Sequence, residues 1–254
     1  MIEVKGLSKR FGEVQVLTDI NATFRKGLVN QIIGKSGSGK SVLAKCIVGL
    51  HRPDEGQVLY EGRSFHEMGP DEMREIRQRI GMLFQGSALF DSLTVLENVM
   101  FPLRMFATLA KDEMEDRAHT CLKRVNIMDK DDLFPAELSG GMQKRVGIAR
   151  AIAMNPQYLF CDEPNSGLDP QTSILIDELI KEITAEFTTT TIVITHDMNS
   201  VMETGEHIIF IHDGSKWWEG SREELLNTDN KELNDFIFAS ALMRQVKASM
   251  GGGR

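Results

Sequence analysis

The residues best suited to chemistry form one eight-residue run, Gly34-Lys35-Ser36-Gly37-Ser38-Gly39-Lys40-Ser41, which fits G-x-x-x-x-G-K-[ST]. Glycines in such a run let the backbone fold tightly enough to aim several N–H groups at phosphate oxygens. A helix starting at its end adds a positive dipole to the same anion. Lys40 is then placed for the β- and γ-phosphates of a nucleoside triphosphate, and the Ser41 hydroxyl for Mg²⁺. A second constellation is Tyr158-Leu159-Phe160-Cys161-Asp162-Glu163, an apolar run ending in two carboxylates. Mg²⁺ needs hard oxygen ligands, and a water attacking a phosphate needs a positioned base. Asp162 suits the metal side and Glu163 the water.

These residues need elements to hold them. Leu28–Ile33 reads as a buried strand feeding the loop, and Ser41–Leu50 as a helix, because Val42, Leu43, Cys46, Ile47 and Leu50 recur at helical spacing. That strand–loop–helix context separates the run from a chance match in a glycine-rich turn. Residues 1–33 read as short strands, with Ile2, Val4, Val14 and Val16 alternating as half-buried strands do. Gln57–Tyr60 and Ile80–Phe84 are further expected strands, the latter ending at Gln85. Asp71–Arg79, Gln143–Met154 and Asp177–Phe187 are expected helices. Residues 86–150 turn helical and charged. Thr190–Thr195 is β-branched, and His207–His212 is one more strand. Strands alternating with helices imply an α/β fold with a mainly parallel sheet covered on both faces. In such a sheet ligands bind at the carboxyl ends of the strands, where Gly34 and Asp162 both fall.

Composition narrows the function classes. The chain has 254 residues, 41% hydrophobic and 26% charged, enough for a sizeable core. Its net charge of −8 argues against a nucleic-acid partner held by bulk electrostatics. Cys46, Cys121 and Cys161 lack the number and spacing of a disulfide framework and read as reduced thiols of a cytoplasmic protein. The N-terminus shows no signal-peptide apolar block. Val99–Ala110 falls short of the about 20 apolar residues a spanning helix needs. Residues 221–254 read as a helical tail with an apolar stripe of Phe236, Ile237, Phe238, Leu242 and Val246, ending in a disordered Gly251–Arg254.

Between the two constellations lies Leu138-Ser139-Gly140-Gly141-Met142-Gln143. Ahead of a helix and shortly before the acidic strand, it resembles the signature motif of ABC transporter ATP-binding subunits. Gln85 resembles the Q-loop glutamine, Ser166-Gly167-Leu168-Asp169 the D-loop, and His196 the switch histidine. Phe11 stands where the family stacks an aromatic on adenine. The resemblance covers residues 1–220 and implies an ABC cassette of the P-loop NTPase class. Its parts are a RecA-like mainly parallel sheet, an N-terminal antiparallel β subdomain and an α-helical subdomain at about 86–150. It also implies ATP and Mg²⁺ as cofactors, with Ser41, Gln85 and Asp162 on the metal side. Glu163, His196 and Gln85 are the implied catalytic set. Two copies meet head to tail, so that Ser139, Gly140, Gly141 and Asp169 of one face the phosphate loop of the other. Glycine N–H groups at a helix N-terminus suit that second anion site. Asn165, where Thr is common, and Val42, where Thr or Leu is usual, depart from the pattern.

The runs Gly81–Val99 and Gly39–Leu43 are similar to those of ATP-binding subunits of MCE-type (Mla) phospholipid transporters. That implies an integral-membrane permease and an MCE-domain lipid-binding protein as partners, at the cytoplasmic face of the inner membrane. Residues 87–106 carry Leu89, Phe90, Leu93, Val95, Leu96, Val99, Phe101, Leu103 and Phe106, more apolar surface than a solvated face needs. Part of it is expected to receive a permease helix, so that a charge at Leu93 or Val95 uncouples the ATPase. Two competing classes are a soluble ABC ATPase and an unrelated P-loop kinase. The first usually carries two cassettes or an inserted coiled coil; the second has no use for a second phosphate site at Leu138–Gln143.

Overall fold

The computed structural model describes residues 1–238. Two long antiparallel strands open the chain, β1 (Ile2–Phe11) and β2 (Val14–Phe24), where the sequence suggested shorter ones. With β4 (Glu55–Tyr60) and β5 (Arg63–Ser64) they form a four-stranded sheet in the order β2-β1-β4-β5. Val14 belongs to β2 but is exposed, contrary to its half-buried reading, because it starts the strand beside the Gly12 turn.

The second sheet contains β3 (Val29–Ile33), β6 (Ile80–Leu83), β7 (Tyr158–Asp162), β8 (Thr190–Thr195), β9 (His207–His212) and β10 (Ser215–Gly220). Its order is β10-β9-β3-β8-β7-β6; every pair is parallel except β9 with β10. Its central strands are buried on both faces, which is why they read as continuous apolar runs rather than alternations. The two-residue period still sorts them. Tyr158, Phe160, Ile192, Ile194, Ile209 and Ile211 pack with the N-terminal sheet and α1 (Lys40–Ile47). Leu159, Cys161 and Val193 face the opposite side. On β9 Ile208 and Phe210 meet α7 (Met198–Thr204), α8 (Arg222–Leu226) and α9 (Lys231–Ile237) through Val201, Leu225, Leu233 and Ile237. The Phe236 ring packs against that of Phe210 at 5.5 Å, so the described part of the tail packs on its own chain. Leu242, Val246 and Gly251–Arg254 lie outside the described residues.

The remaining helices are α2 (Pro70–Gln78), α3 (Val95–Phe106), α4 (Lys111–Arg124), α5 (Gly140–Ile152) and α6 (Pro170–Phe187). Helices α3 to α5 share one core with α6 and the sheet, through Val95, Val99, Leu103, Cys121, Leu122, Val146 and Ile180. Val95 is therefore 0% exposed, which corrects its reading as part of a docking face. The exposed large apolar residues around α3 are Phe90, Met105, Phe106 and Leu109. Leu50, read as helical, lies beyond α1 and is exposed, because Gly49 turns the chain with φ +77°. Helix α6 begins seven residues before its expected start, with Asp169 as N-cap and Pro170 at the first position. All three cysteines are free and buried, and burial pushes the Cys46 thiol up to about 11 and Cys161 up to about 12. Among the described residues no helix is long and apolar enough to cross a membrane.

Candidate functional site

The parallel register sets the site. Ile33 pairs with Thr195, Asp162 with Ile194, and Leu83 with Cys161. Four strands thus end at one edge, and the segments leaving them carry Gly34, His196, Glu163 and Gln85. A cleft of about 250 Å³ opens there, lined by Val16, Ser36, Gly37, Gly39–Val42, Gln85, Glu163 and His196.

The loop is shaped by close approach. Gly34 has φ +150°, and a Cβ there would clash with the Ile211 carbonyl oxygen. The chain then turns into α1 at Gly39, so the helix N-terminus faces the cleft. Lys40 is buried, and its Nζ donates to the loop carbonyls of Gly34 (2.8 Å) and Lys35 (2.9 Å). Burial holds its ammonium below the ordinary lysine range, with Glu163 and Asp162 pulling it back up. Ser38 Oγ is buried with no hydrogen-bond partner among the described residues, a donor that an anion in the loop would satisfy.

Ser41 Oγ donates to Asp162 Oδ1 at 3.3 Å. Burial raises the Asp162 carboxyl, partly countered by that hydrogen bond. Two hard oxygens side by side at the end of the loop fit a Mg²⁺ ion. Glu163 follows at φ +50°, its N–H bonded to Ile194 O. Its carboxylate meets His196 Nδ1 at 2.8 Å, a pairing that spacing did not disclose.

The other expected residues lie apart from this cleft. Ser139 caps α5, its Oγ accepting from Met142 N, and leads into Gly140 and Gly141. A Cβ on Gly141 would meet Thr172 Cγ2 at 2.6 Å, so this glycine is required for the loop to lie against the start of α6. Asp169 accepts from Thr172 N and Oγ1, and those bonds hold its carboxyl below the usual range. Phe11, 42% exposed, sits edge-on to His51 at 5.3 Å rather than along the cleft. One chain brings together the phosphate loop, Asp162, Glu163, His196 and Gln85, whereas Ser139–Gly141, Asp169 and Phe11 are not among the residues that line the phosphate cleft.

Two buried polar groups were missed. Lys144 of α5 donates to the carbonyls of Gln85 and Glu163 (3.3 Å for the second). Asp177 of α6 accepts from Asn165 Nδ2 at 2.9 Å and Ser200 Oγ at 2.7 Å. Each had a signal: Lys144 shares a helical stripe with Ile148, Ala151 and Ile152, and Asp177 interrupts the stripe of Ile176, Ile180 and Ile183. Asn165, the departure from the common Thr, is the residue that donates this bond.

The sequence profile of the family described as "ABC transporter" matches residues 17–166. The probable ribonucleotide transport ATP-binding protein mkl of Mycobacterium leprae is 37% identical over 236 residues, 93% of this chain and 68% of that one. The Mycobacterium tuberculosis counterpart is covered to 66%, so the chain spans about two thirds of these relatives' length. The methionine import ATP-binding protein MetN of Desulfitobacterium hafniense is 41% identical over 242 residues, covering 93% and 71%. Among solved structures, a dimeric post-hydrolysis state of the ATP-binding cassette MJ0796 with ADP and Pi superposes with TM-score 0.80 at 36% identity, covering 87% of this chain and 99% of that one. The cbiO1 cassette of Clostridium perfringens gives 0.82 at 28% identity, covering 98% of each. The loop, the acidic strand end and the two-sheet architecture are thus those of an ATP-hydrolysing cassette, and the chain belongs to the ABC transporter ATP-binding family.

Proposed function

We propose that this chain, with residues 1–220 as its cassette, powers a permease that moves phospholipid across a Gram-negative envelope, at the cytoplasmic face of the inner membrane. The single observation that carries the motor reading is the Glu163–His196 pair set across one cleft from Lys40 and Ser41. Backbone N–H groups of Lys35 to Ser41 cradle the phosphates, and the Ser38 hydroxyl gains an acceptor. Lys40 turns from the Gly34 and Lys35 carbonyls to the β- and γ-phosphates. Ser41, Asp162 and Gln85 hold Mg²⁺, which supplies charge neutralisation on the phosphate oxygens. Glu163 accepts the proton of the attacking water, and His196 fixes its carboxylate and reaches the γ-phosphate. Phe11 stacks on adenine. Ser139, Gly140 and Gly141 of a second copy close the site, with Asp169 at the dimer interface. A solved dimer of a related cassette supports that arrangement.

The phospholipid assignment rests on Gly81–Val99 and Gly39–Leu43, with an MCE-domain protein as a further partner and no nucleic acid. A second reading, uptake of a small solute, is favoured by the 41% identity to a protein named for methionine import. The motor is tested with three variants. Glu163→Gln forms an ATP-dependent dimer on size exclusion without turnover, Lys40→Ala loses hydrolysis, and Ser139→Arg binds ATP but stays monomeric. Wild-type turnover by Glu163→Gln refutes the assignment of the base. Cargo is tested by purification from solubilised membranes and mass spectrometry: a permease recovered without an MCE-type protein overturns the phospholipid reading.

A further inference from the structure

Lys144 is 4% exposed, and among the described residues it has no ion-pair partner. Its Nζ is satisfied by two main-chain carbonyls, those of Gln85 and Glu163, which lie 59 and 19 residues away in sequence. Burial holds the ammonium below the ordinary lysine range, with Cys161, Asp162 and Glu163 pulling the other way. A buried cation with no carboxylate at ion-pair distance among the described residues is a poor choice for stability alone, since an apolar side chain of the same length would fill the space without desolvating a charge.

The acceptors explain the choice. Glu163 has a left-handed backbone, which an L-residue holds only when its surroundings impose it. Its N–H is tied to Ile194, at the end of the strand that leads to His196. Its carbonyl is tied to Ser166 N and to Lys144. The Gln85 carbonyl shares the same ammonium. One cation therefore joins three segments of the site: the helix that begins at Ser139–Gly141, the segment after β6, and the peptide that aims the Glu163 carboxylate.

We propose that Lys144 is a positioning residue for hydrolysis, tying helix α5 to the backbone of both Gln85 and Glu163, so that a shift of α5 is felt at the carboxylate that receives the proton. It touches neither nucleotide nor water. The inference rests on Glu163 being that proton acceptor.

The test compares Lys144→Met, which keeps length and volume but removes charge and donors, with Lys144→Gln, which keeps a neutral double donor. Steady-state ATPase, KM for ATP and Tm are measured on the full chain. Lys144→Met lowers kcat by about 10- to 100-fold, the loss of hydrogen bonds from a charged group. KM for ATP stays the same and Tm is unchanged or raised. Lys144→Gln recovers part of the lost kcat. In the Glu163→Gln background, Lys144→Met still gives the ATP-dependent dimer, because phosphate binding does not pass through Lys144. Wild-type kcat in Lys144→Met overturns the inference, as does a loss of kcat that tracks falling Tm. If Glu163→Gln alone retains turnover, the reading of Glu163 falls first; if that variant is inactive and Lys144→Met is fully active, only the inference about Lys144 falls.

Discussion

The buried carboxylate of Asp177 makes stability depend on pH in a way that can be worked out. It is 5% exposed and accepts hydrogen bonds from Ser200 and Asn165. Burial pushes its carboxyl up to about 6; those two bonds pull it down, while Asp197 and Glu203 push it further up. An aspartate in the unfolded chain titrates near 3.9. The folded state therefore holds the proton more tightly. Below about pH 4 both states are protonated and Asp177 carries no penalty. The stability conferred by the protonated form is lost as pH rises through about 6. At pH 7.5 the ionised carboxylate disfavours folding by about 3 kcal/mol, two pH units at about 1.4 kcal/mol each.

Asp177→Asn removes the charge and keeps the shape. Asn165 Oδ1 is buried and has no partner among the described residues, so its amide can turn over and accept from the new amide. The Ser200 hydroxyl rotates to suit. The variant is expected to match wild type at pH 4 and to exceed it at pH 7.5. For a chain of this size about 3 kcal/mol corresponds to a Tm rise of roughly 6–12 °C. Thermal unfolding by circular dichroism from pH 4 to 8, without nucleotide, measures both curves; their difference cancels groups titrating alike in both proteins. A variant less stable than wild type at pH 7.5 would mean that the two hydrogen bonds outweigh the burial of charge. A pH-independent difference would mean that Asp177 does not titrate in this window. Asp177 also has a place in the site: it fastens Asn165, two residues after Glu163, to α7, which starts two residues after His196.

Two further outcomes follow from packing. Gly141→Ala places a Cβ 2.6 Å from Thr172 Cγ2, forcing apart the signature loop and the first turn of α6; ATPase turnover falls while binding of a fluorescent ATP analogue persists. Val95→Asp buries an unpaired charge in the core shared by α3, α4 and α5 and lowers stability by more than about 3 kcal/mol, whereas Phe106→Asp, at a side chain 45% exposed, leaves Tm unchanged; thermal unfolding of the pair separates core from surface along α3.

What could be read in the sequence is what depends on local order. Strands β3, β7, β8 and β9 are apolar on both faces, so each appears as an unbroken run, and the phosphate loop is one contiguous segment. The early start of α6 was legible too, since Asp169-Pro170 is an N-cap followed by proline at the first helical position. The docking face was not. Val95, Val99 and Leu103 share a stripe with helical spacing, but spacing cannot say whether that stripe meets solvent; Ala118, Cys121 and Leu122 of α4 cover it from a separate helix. The same limit hid the supports of the site. Glu163 is held by Ile194, Lys144 and His196, and Asn165 by Asp177, none of them adjacent in the chain. A lysine on the buried stripe of α5 and an aspartate on that of α6 were visible as anomalies, because a charge on an apolar stripe needs a partner. Only the sheet register, which puts Ile33, Leu83, Asp162 and Thr195 at one edge, determines which partner each finds.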